Sequence, residues 1–483
     1  MSLPRPRRCL RLVVVALLTA GGLMFAGPLA GTAVAAPAAV ANGTQFTDTA
    51  GNVVQAHGGG VLAVGGFYYW FGENRNPNGT FKAVSVYRST DLRSWEFRNN
   101  VLTQSSAAEL NVANIERPKV IFNSSTGQYV MWMHKENGSD YGQALAAVAT
   151  SSTVDGAYSY RGSFRPLANM SRDITIFRDD NGTAYMASAA RENADLNLYR
   201  LTPDYLGISG LVQTLWPGSF REAPALFKRN GVYFMLTSAA TGWSPNQQKY
   251  ATASSISGPW SALQNVGDGT ASDSQTAYVL PVTGSGATSY LYLGDRWAGA
   301  WGGRVNDSRY VWLALRFGSN TSMSMAWSPQ LTIDTAAGTI APGAGGTSTL
   351  VARHSGKCLD VTSGSAGNGT AVKQFSCNGG ANQRWQAVDA GGGFVSLLAG
   401  HSGKCLDVTN GSTSDGAVLE QFSCNAGTNQ QFQLQDAGGG FVRLVVRQSG
   451  KCVDVTSAST SDGAAVKQFS CTAGTNQQWS RGT

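Results

Sequence analysis

Five polar residues open five segments of similar design, and their types point to one kind of chemistry. His57, Glu116, Asp173, Glu222 and Gln275 each precede a short apolar or alternating run, a turn, and a second run carrying an aromatic; Glu116-Arg117-Pro118 leads to Tyr129 in this way, and Glu222-Ala223-Pro224 leads to Tyr233. Three carboxylates, an amide and an imidazole gathered in one place can divide proton donation from proton acceptance. Crowded carboxylates push the pKa of one member up, so that it stays protonated near neutral pH. Cleavage of a glycosidic bond uses such a set, with one acid at the leaving oxygen and a second group serving attack at the anomeric carbon. A single acid at a strand start is ordinarily a capping or surface residue. The common register of all five sets them apart.

For these residues to converge, the strands that carry them must surround an axis. The aromatics Tyr69, Tyr129, Tyr185, Tyr233 and Tyr290 recur at spacings of about 50–60 residues, with Asn-Gly or Gly-rich turns before them, which are hairpin signals. Five four-stranded units make a five-bladed β-propeller with the innermost strands along a central channel. A sandwich is the rival all-β fold, but it would not explain one polar residue at the start of every unit. The run Gly58-Gly59-Gly60 then marks close backbone approach near the axis. Of the four histidines (57, 134, 354 and 401) His57 is the one expected near the pocket, as a brace. No histidine spacing suits zinc, so neither a metal nor a cofactor is expected.

The last third repeats with a period of 47 residues. Cys358, Cys405 and Cys452 each begin a Cys-Leu/Val-Asp-Val run, and each has a second cysteine 19 residues on, at Cys377, Cys424 and Cys471. Six cysteines allow fifteen pairings, and the repeat favours the one in which each copy closes its own loop. Ahead of this region, 335–347 is a Gly/Ala/Thr-rich stretch expected to be a flexible linker. The predicted domains are therefore 36–334 and 348–483.

Residues 1–35 are expected to be an export signal, with Arg5, Arg7, Arg8 and Arg11 before an apolar stretch and Ala33-Val34-Ala35 as a cleavage site. Gly21, Gly22, Gly27, Pro28 and Gly31 interrupt the apolar run and argue against a membrane anchor. Loss of four arginines lowers the formal charge from +7 to +3, too small an excess for a nucleic-acid partner. Only 13% of residues are charged while glycine numbers 59, a balance that fits a turn-rich all-β protein in an oxidising compartment. A secreted monomer, with no membrane partner once the signal is removed, is expected.

The 47-residue repeat, with Asn-Gln-x-aromatic at Asn382–Trp385, Asn429–Phe432 and Asn476–Trp479, resembles the ricin B-type β-trefoil lectins, a fold shared with one family of carbohydrate-binding modules. The resemblance implies sugar contacts in each lobe from Asp360, Phe375 and Asn382, from Asp407, Phe422 and Asn429, and from Asp454, Phe469 and Asn476. Lys373, Glu420 and Lys467 depart from the usual Gln two residues before each platform. Trp385, Phe432 and Trp479 are expected in the core.

Residues 44–334 resemble glycoside hydrolase family 43, and within it the exo-β-1,3-galactanase branch, on Gln55-Ala56-His57-Gly58-Gly59-Gly60, Tyr69-Trp70-Phe71-Gly72-Glu73, Ile115-Glu116-Arg117-Pro118-Lys119, Ser171-Arg172-Asp173, Arg221-Glu222-Ala223-Pro224-Ala225, Thr241-Gly242-Trp243 and Gly294-Asp295-Arg296-Trp297. The resemblance implies an inverting hydrolase of β-1,3-galactan, the backbone of arabinogalactan, with Glu222 as general acid and Asp173 tuning it. The first-unit Asp that most of the family uses as base is absent. Gln275 then holds the attacking water, with Glu116 as the carboxylate alternative, roughly 6.5–9.5 Å separating acid from base. Glu73, Tyr141, Asn193, Thr241 and Trp243 are the implied galactose contacts, Trp243 by stacking. Arg117 and Arg221 either hold the neighbouring acids ionised or brace the strand starts. An α-L-arabinofuranosidase or β-xylosidase, and a lectin with a silent propeller, are the competing expectations.

Overall fold

A computed structural model describes residues 1–2, 36–343, 346–425 and 427–482; the expected export signal therefore lies almost wholly outside the described residues. Those residues contain strands and short 3-10 turns but no α-helix. Four four-stranded antiparallel sheets begin at His57–Val64, Asn114–Asn123, Ile174–Arg178 and Arg221–Arg229, and a three-stranded sheet begins at Gln275–Thr283. Strands within each sheet follow one another in sequence, as hairpin connections demand. Asn230-Gly231, for example, turns the chain with both residues left-handed (φ 48° and 77°), the geometry a two-residue hairpin needs.

The first strands of successive sheets lie side by side, and that of the three-stranded sheet returns to that of the first, so the sheets form a closed ring: a β-propeller. Separate apolar clusters fill the space between neighbouring sheets. The ring is stitched by its own beginning. Asn42 donates to the Trp312 carbonyl at 2.6 Å and accepts from the Trp312 N–H, Thr44 bridges Tyr310, and Ala38–Ala41 pairs with Gln330–Asp334.

Part of the expected linker is a strand. Thr339–Gly343 pairs with Gln330–Asp334 as a hairpin strand, and Thr347–Ala352 already belongs to the next domain. Gly and Ala content suggested flexibility, but backbone pairing needs no bulky side chain once a template strand is adjacent.

The C-terminal domain is a trefoil built as one continuous strand system around a core of Leu, Val, Trp385, Phe432 and Trp479. Its disulfides join Cys358–Cys377, Cys405–Cys424 and Cys452–Cys471. In each lobe the Asn of the Asn-Gln pair donates to the expected aspartate, at 2.9 Å for Asn382–Asp360 and Asn429–Asp407 and 2.8 Å for Asn476–Asp454. Burial raises all three aspartates, Asp407 to about 6. The platforms differ: Phe375 is exposed, Phe422 and Phe469 only partly so.

Candidate active site

A cavity of about 460 Å³ opens at the end of the ring where the innermost strands begin, and Glu116, Asp173, Glu222 and Gln275 all line it. The backbone aims them by a repeated device. Pairing breaks into a bulge immediately after Glu116 and Glu222 and one residue beyond Gln275, and the residue following each glutamate, Arg117 or Ala223, is left-handed (φ 52° and 50°) before its proline. A bulge re-aims one side chain of a strand, here toward the axis.

His57 shares the bulge but not the cavity. It is fully buried, stacks on Tyr310 and meets Asp295 Oδ1 through Nδ1 at 2.8 Å, so it braces the ring beneath the site. The histidine at the cavity is His134, contrary to expectation. Strand register explains this: Glu116 faces His134 directly across the hairpin, just as Glu222 faces Ser238 and Gln275 faces Asp295. Close packing at the axis fixes the glycines beside His57. A Cβ on Gly59 would lie 1.6 Å from the Phe71 carbonyl oxygen.

Glu222 is buried, and both its oxygens accept amide protons, from Gln275 Nε2 at 2.9 Å and Asn193 Nδ2 at 3.0 Å. Burial, then the Asp173 charge, push its carboxyl up to about 8 against the pull of Arg117 and Gln275. Asp173 is pinned by Arg117 Nε at 2.8 Å and by the Ala223 N–H at 3.0 Å. Arg117 also donates to Gln275 Oε1 and the Thr276 carbonyl, and Trp297 Nε1 reaches the same amide oxygen at 2.8 Å. Arg117 thus sits within the site, whereas Arg221 braces, spending its guanidinium on Thr237. The separation expected of acid and base is not found between Glu222 and Gln275, which touch.

Glu116 belongs to a second cluster. Arg75 Nη2 lies 2.7 Å from its Oε1 and 2.6 Å from Glu73 Oε2, the Tyr141 hydroxyl donates to Oε1 at 2.8 Å, and His134 Nδ1 is 3.2 Å from Oε2. Burial alone would raise the Glu116 carboxyl; Arg75 and His134 outweigh it and hold it well below the usual carboxylate range. For His134 burial acts downward, but Glu116 and Glu136 lift it to about 9. Burial keeps Glu73 raised despite Arg75. Arg75 and His134 were missed in the sequence because each lies on a second strand: His134 is marked only by its register with Glu116, and Arg75 only by its ion pairs with Glu73 and Glu116.

Of the implied galactose contacts, Glu73, Tyr141, Asn193 and Trp243 line the cavity. Thr241 does not: it sits in an exposed turn, its hydroxyl spent on the Ser244 carbonyl and Asn246. Trp243 stands edge-on to Trp297 and presents an exposed ring to the cavity, which Phe220, another exposed aromatic, also lines. Glu116, His134 and Asp173 bring ligand atoms within 4.8 Å of one another, a spacing that could hold a cation. Their donor set fits poorly, because Arg75 and Arg117 already supply the positive charge at both carboxylates.

The sequence model for glycosyl hydrolases family 43 matches residues 59–287, and that for the ricin-type β-trefoil lectin domain-like family matches 335–422 and 428–483. An exo-β-1,3-galactanase from Clostridium thermocellum is 49% identical over 92% of this chain and 99% of its own, with a TM-score of 0.63. One from Phanerochaete chrysosporium, solved with galactose, is 31% identical over 92% of this chain and 99% of its own, with a TM-score of 0.65. A curated xylan 1,3-β-xylosidase from Vibrio is 22% identical over 176 residues, and the chain spans about a third or less of the curated relatives it matches. The chain belongs to glycosyl hydrolase family 43 and is a glycoside hydrolase carrying a ricin-type β-trefoil domain.

Proposed function

We propose that this protein is a secreted, inverting exo-β-1,3-galactanase that removes galactose from the β-1,3-galactan backbone of arabinogalactan, and that its five sheets are the five blades of the propeller. The observation that carries the reading is Glu222, a buried carboxyl raised to about 8 in a cavity rimmed by aromatics. A carboxyl of that pKa holds its proton at neutral pH and can deliver it to the leaving oxygen. Exo action is inferred from the likeness to the exo-β-1,3-galactanases.

In this mechanism the terminal galactose parts Glu222 from Gln275. Glu222 protonates the glycosidic oxygen, Asp173 keeps its pKa high, and Gln275 holds a water at the opposite face of C1. A neutral amide is a weak base, and Glu116, fixed as an anion by Arg75 and His134, is a weak one too. The oxocarbenium character of the transition state eases this demand, since water can attack C1 as the glycosidic bond breaks and lose its proton to bulk solvent afterwards. Glu73, Tyr141, Asn193 and Trp243 hold the sugar. The trefoil keeps the enzyme on the polysaccharide and raises local substrate concentration.

The test is product chromatography after incubation with β-1,3-galactan, arabinoxylan and nitrophenyl arabinofuranoside. Galactose from galactan alone, lost in Glu222→Gln, is expected. Arabinose release alone would replace the galactanase reading with an arabinofuranosidase, and no product would leave a lectin.

A further inference from the structure

The three lobes of the trefoil repeat a small clamp, and one of the three is completed by the propeller. In the first lobe Lys357 Nζ lies 2.7 Å from Asp462 and the Ser376 N–H donates to the same carboxylate at 2.7 Å. In the third, Lys451 and the Ser470 N–H hold Asp415, both at 2.7 Å. In the second lobe the Ser423 N–H meets Asn368, an amide where the repeat places an aspartate, so Lys404 has no acid partner among the described residues of the trefoil. Asp273 of the propeller takes the vacant role. It is 2% exposed, lies 3.2 Å from Lys404 Nζ and accepts from Ser423 Oγ at 2.8 Å. Lys404 is itself 4% exposed, and Trp327 packs beside it against Gly403.

Asp273 is two residues from Gln275. It ends three consecutive non-glycine residues in left-handed conformation, Ala271, Ser272 and Asp273 (φ 49°, 58° and 58°). Such backbone persists only where surrounding contacts over-determine it. Here they are Arg296 Nη2 on the Ser272 carbonyl at 2.7 Å, and Lys404 with Ser423 on Asp273. Without Lys404 a buried carboxylate loses its only ion pair within 4 Å among the described residues and keeps the Arg296 charge alone, which favours rearrangement of the turn to hydrate it. The rearrangement would be passed directly to Gln275. We infer that Lys404 of the trefoil is a positioning residue for Gln275, so that the sugar-binding domain is a structural part of the active site as well as a tether. The inference rests on the proposed role of Gln275.

The full chain is assayed on β-1,3-galactobiose, a substrate too short to gain from tethering. Lys404→Met should lower kcat about 10- to 100-fold, the scale of a remote displacement of a catalytic group, with KM nearly unchanged, and Lys404→Arg should recover most of it. Lys357→Met, the same change in the first lobe, should leave kcat at the wild-type value. Hydrogen–deuterium exchange of the peptide 268–280 should rise in Lys404→Met and not in Lys357→Met, which reads the positioning role without any substrate. If Lys404→Met does not fold, Ser423→Ala must show the same pattern on a smaller scale. Wild-type kcat and exchange in a folded Lys404→Met, or equal losses in both lysine variants, would overturn the inference. A wild type inactive on galactobiose overturns the substrate reading instead, and exchange still decides the role of Lys404.

Discussion

Replacing Asp173 by Asn gives the sharpest test of how the acid is made. Glu222 is raised from an ordinary 4.5 to about 8, first by burial and second by the Asp173 charge. Asparagine keeps the size of Asp173 but removes that charge. A nearby like charge shifts a carboxyl by roughly 1–3 pKa units, of which we assign about one to two to Asp173, since burial is the larger cause. The substitution has a second effect in the same direction. Arg117, 2.8 Å from Asp173, loses its anion, and its uncompensated charge then acts on Glu222. A general acid with raised pKa is active while protonated, so the rate holds below about pH 8 and falls above it. In Asp173→Asn the alkaline fall should move down by about one to two pH units, equivalent to about 1.4–3 kcal/mol of lost preference for the protonated form. The assay is kcat/KM against pH for β-1,3-galactobiose, repeated with an aryl β-galactoside whose leaving group needs no protonation. The aryl substrate should lose far less activity. An alkaline limb that stays at the wild-type pH would refute the electrostatic reasoning, even if the variant were slow.

Two further outcomes follow from the same geometry. His134 is raised to about 9 by Glu116 and Glu136, so its pairing stabilises the fold fully below about pH 6.5 and ceases to as pH rises through 9; urea unfolding should show His134→Gln less stable than wild type by up to about 3 kcal/mol at pH 6, with the gap closing by pH 10. Phe375 is the most exposed of the three platforms, and Phe375→Ala should weaken galactan binding by about three- to tenfold in affinity electrophoresis, more than Phe422→Ala or Phe469→Ala, while kcat on galactobiose stays unchanged.

What could be seen in the sequence was whatever repeats. The trefoil's Cys-Leu/Val-Asp-Val runs, disulfides and core aromatics recur at one period, and the glutamates before Arg-Pro and Ala-Pro mark the inner strands. What could not be seen depends on pairing between strands. His134 enters the site only because it faces Glu116 across a hairpin, a relation that a one-residue change in register would abolish, and Arg75 enters it from the end of a second strand through its ion pairs with Glu73 and Glu116. His57 failed for a related reason: its first strand lies deep enough at Gly58-Gly59 that the ring falls below the cavity and finds Asp295. The residues 335–347 failed because composition reports what a segment tolerates, not what lies beside it. Thr241 matched the family segment, yet its hydroxyl is consumed by its own turn.

Both domains are fastened by a pairing of their first strand with one of their last: Ala38–Ala41 with Gln330–Asp334 in the propeller, and Thr347–Ala352 with Trp479–Gly482 in the trefoil. A ribosome or export channel releases these partners at opposite ends of a long interval, so neither ring can shut until its closing strand has emerged, and the propeller's closing strand emerges before any strand of the trefoil. The same arrangement brings the two ends of each domain to adjacent strands. Circular permutation is then a natural operation on either one: new termini cut into the Ser285–Gly286 turn, with the old ones joined, would leave every inner strand of the propeller intact.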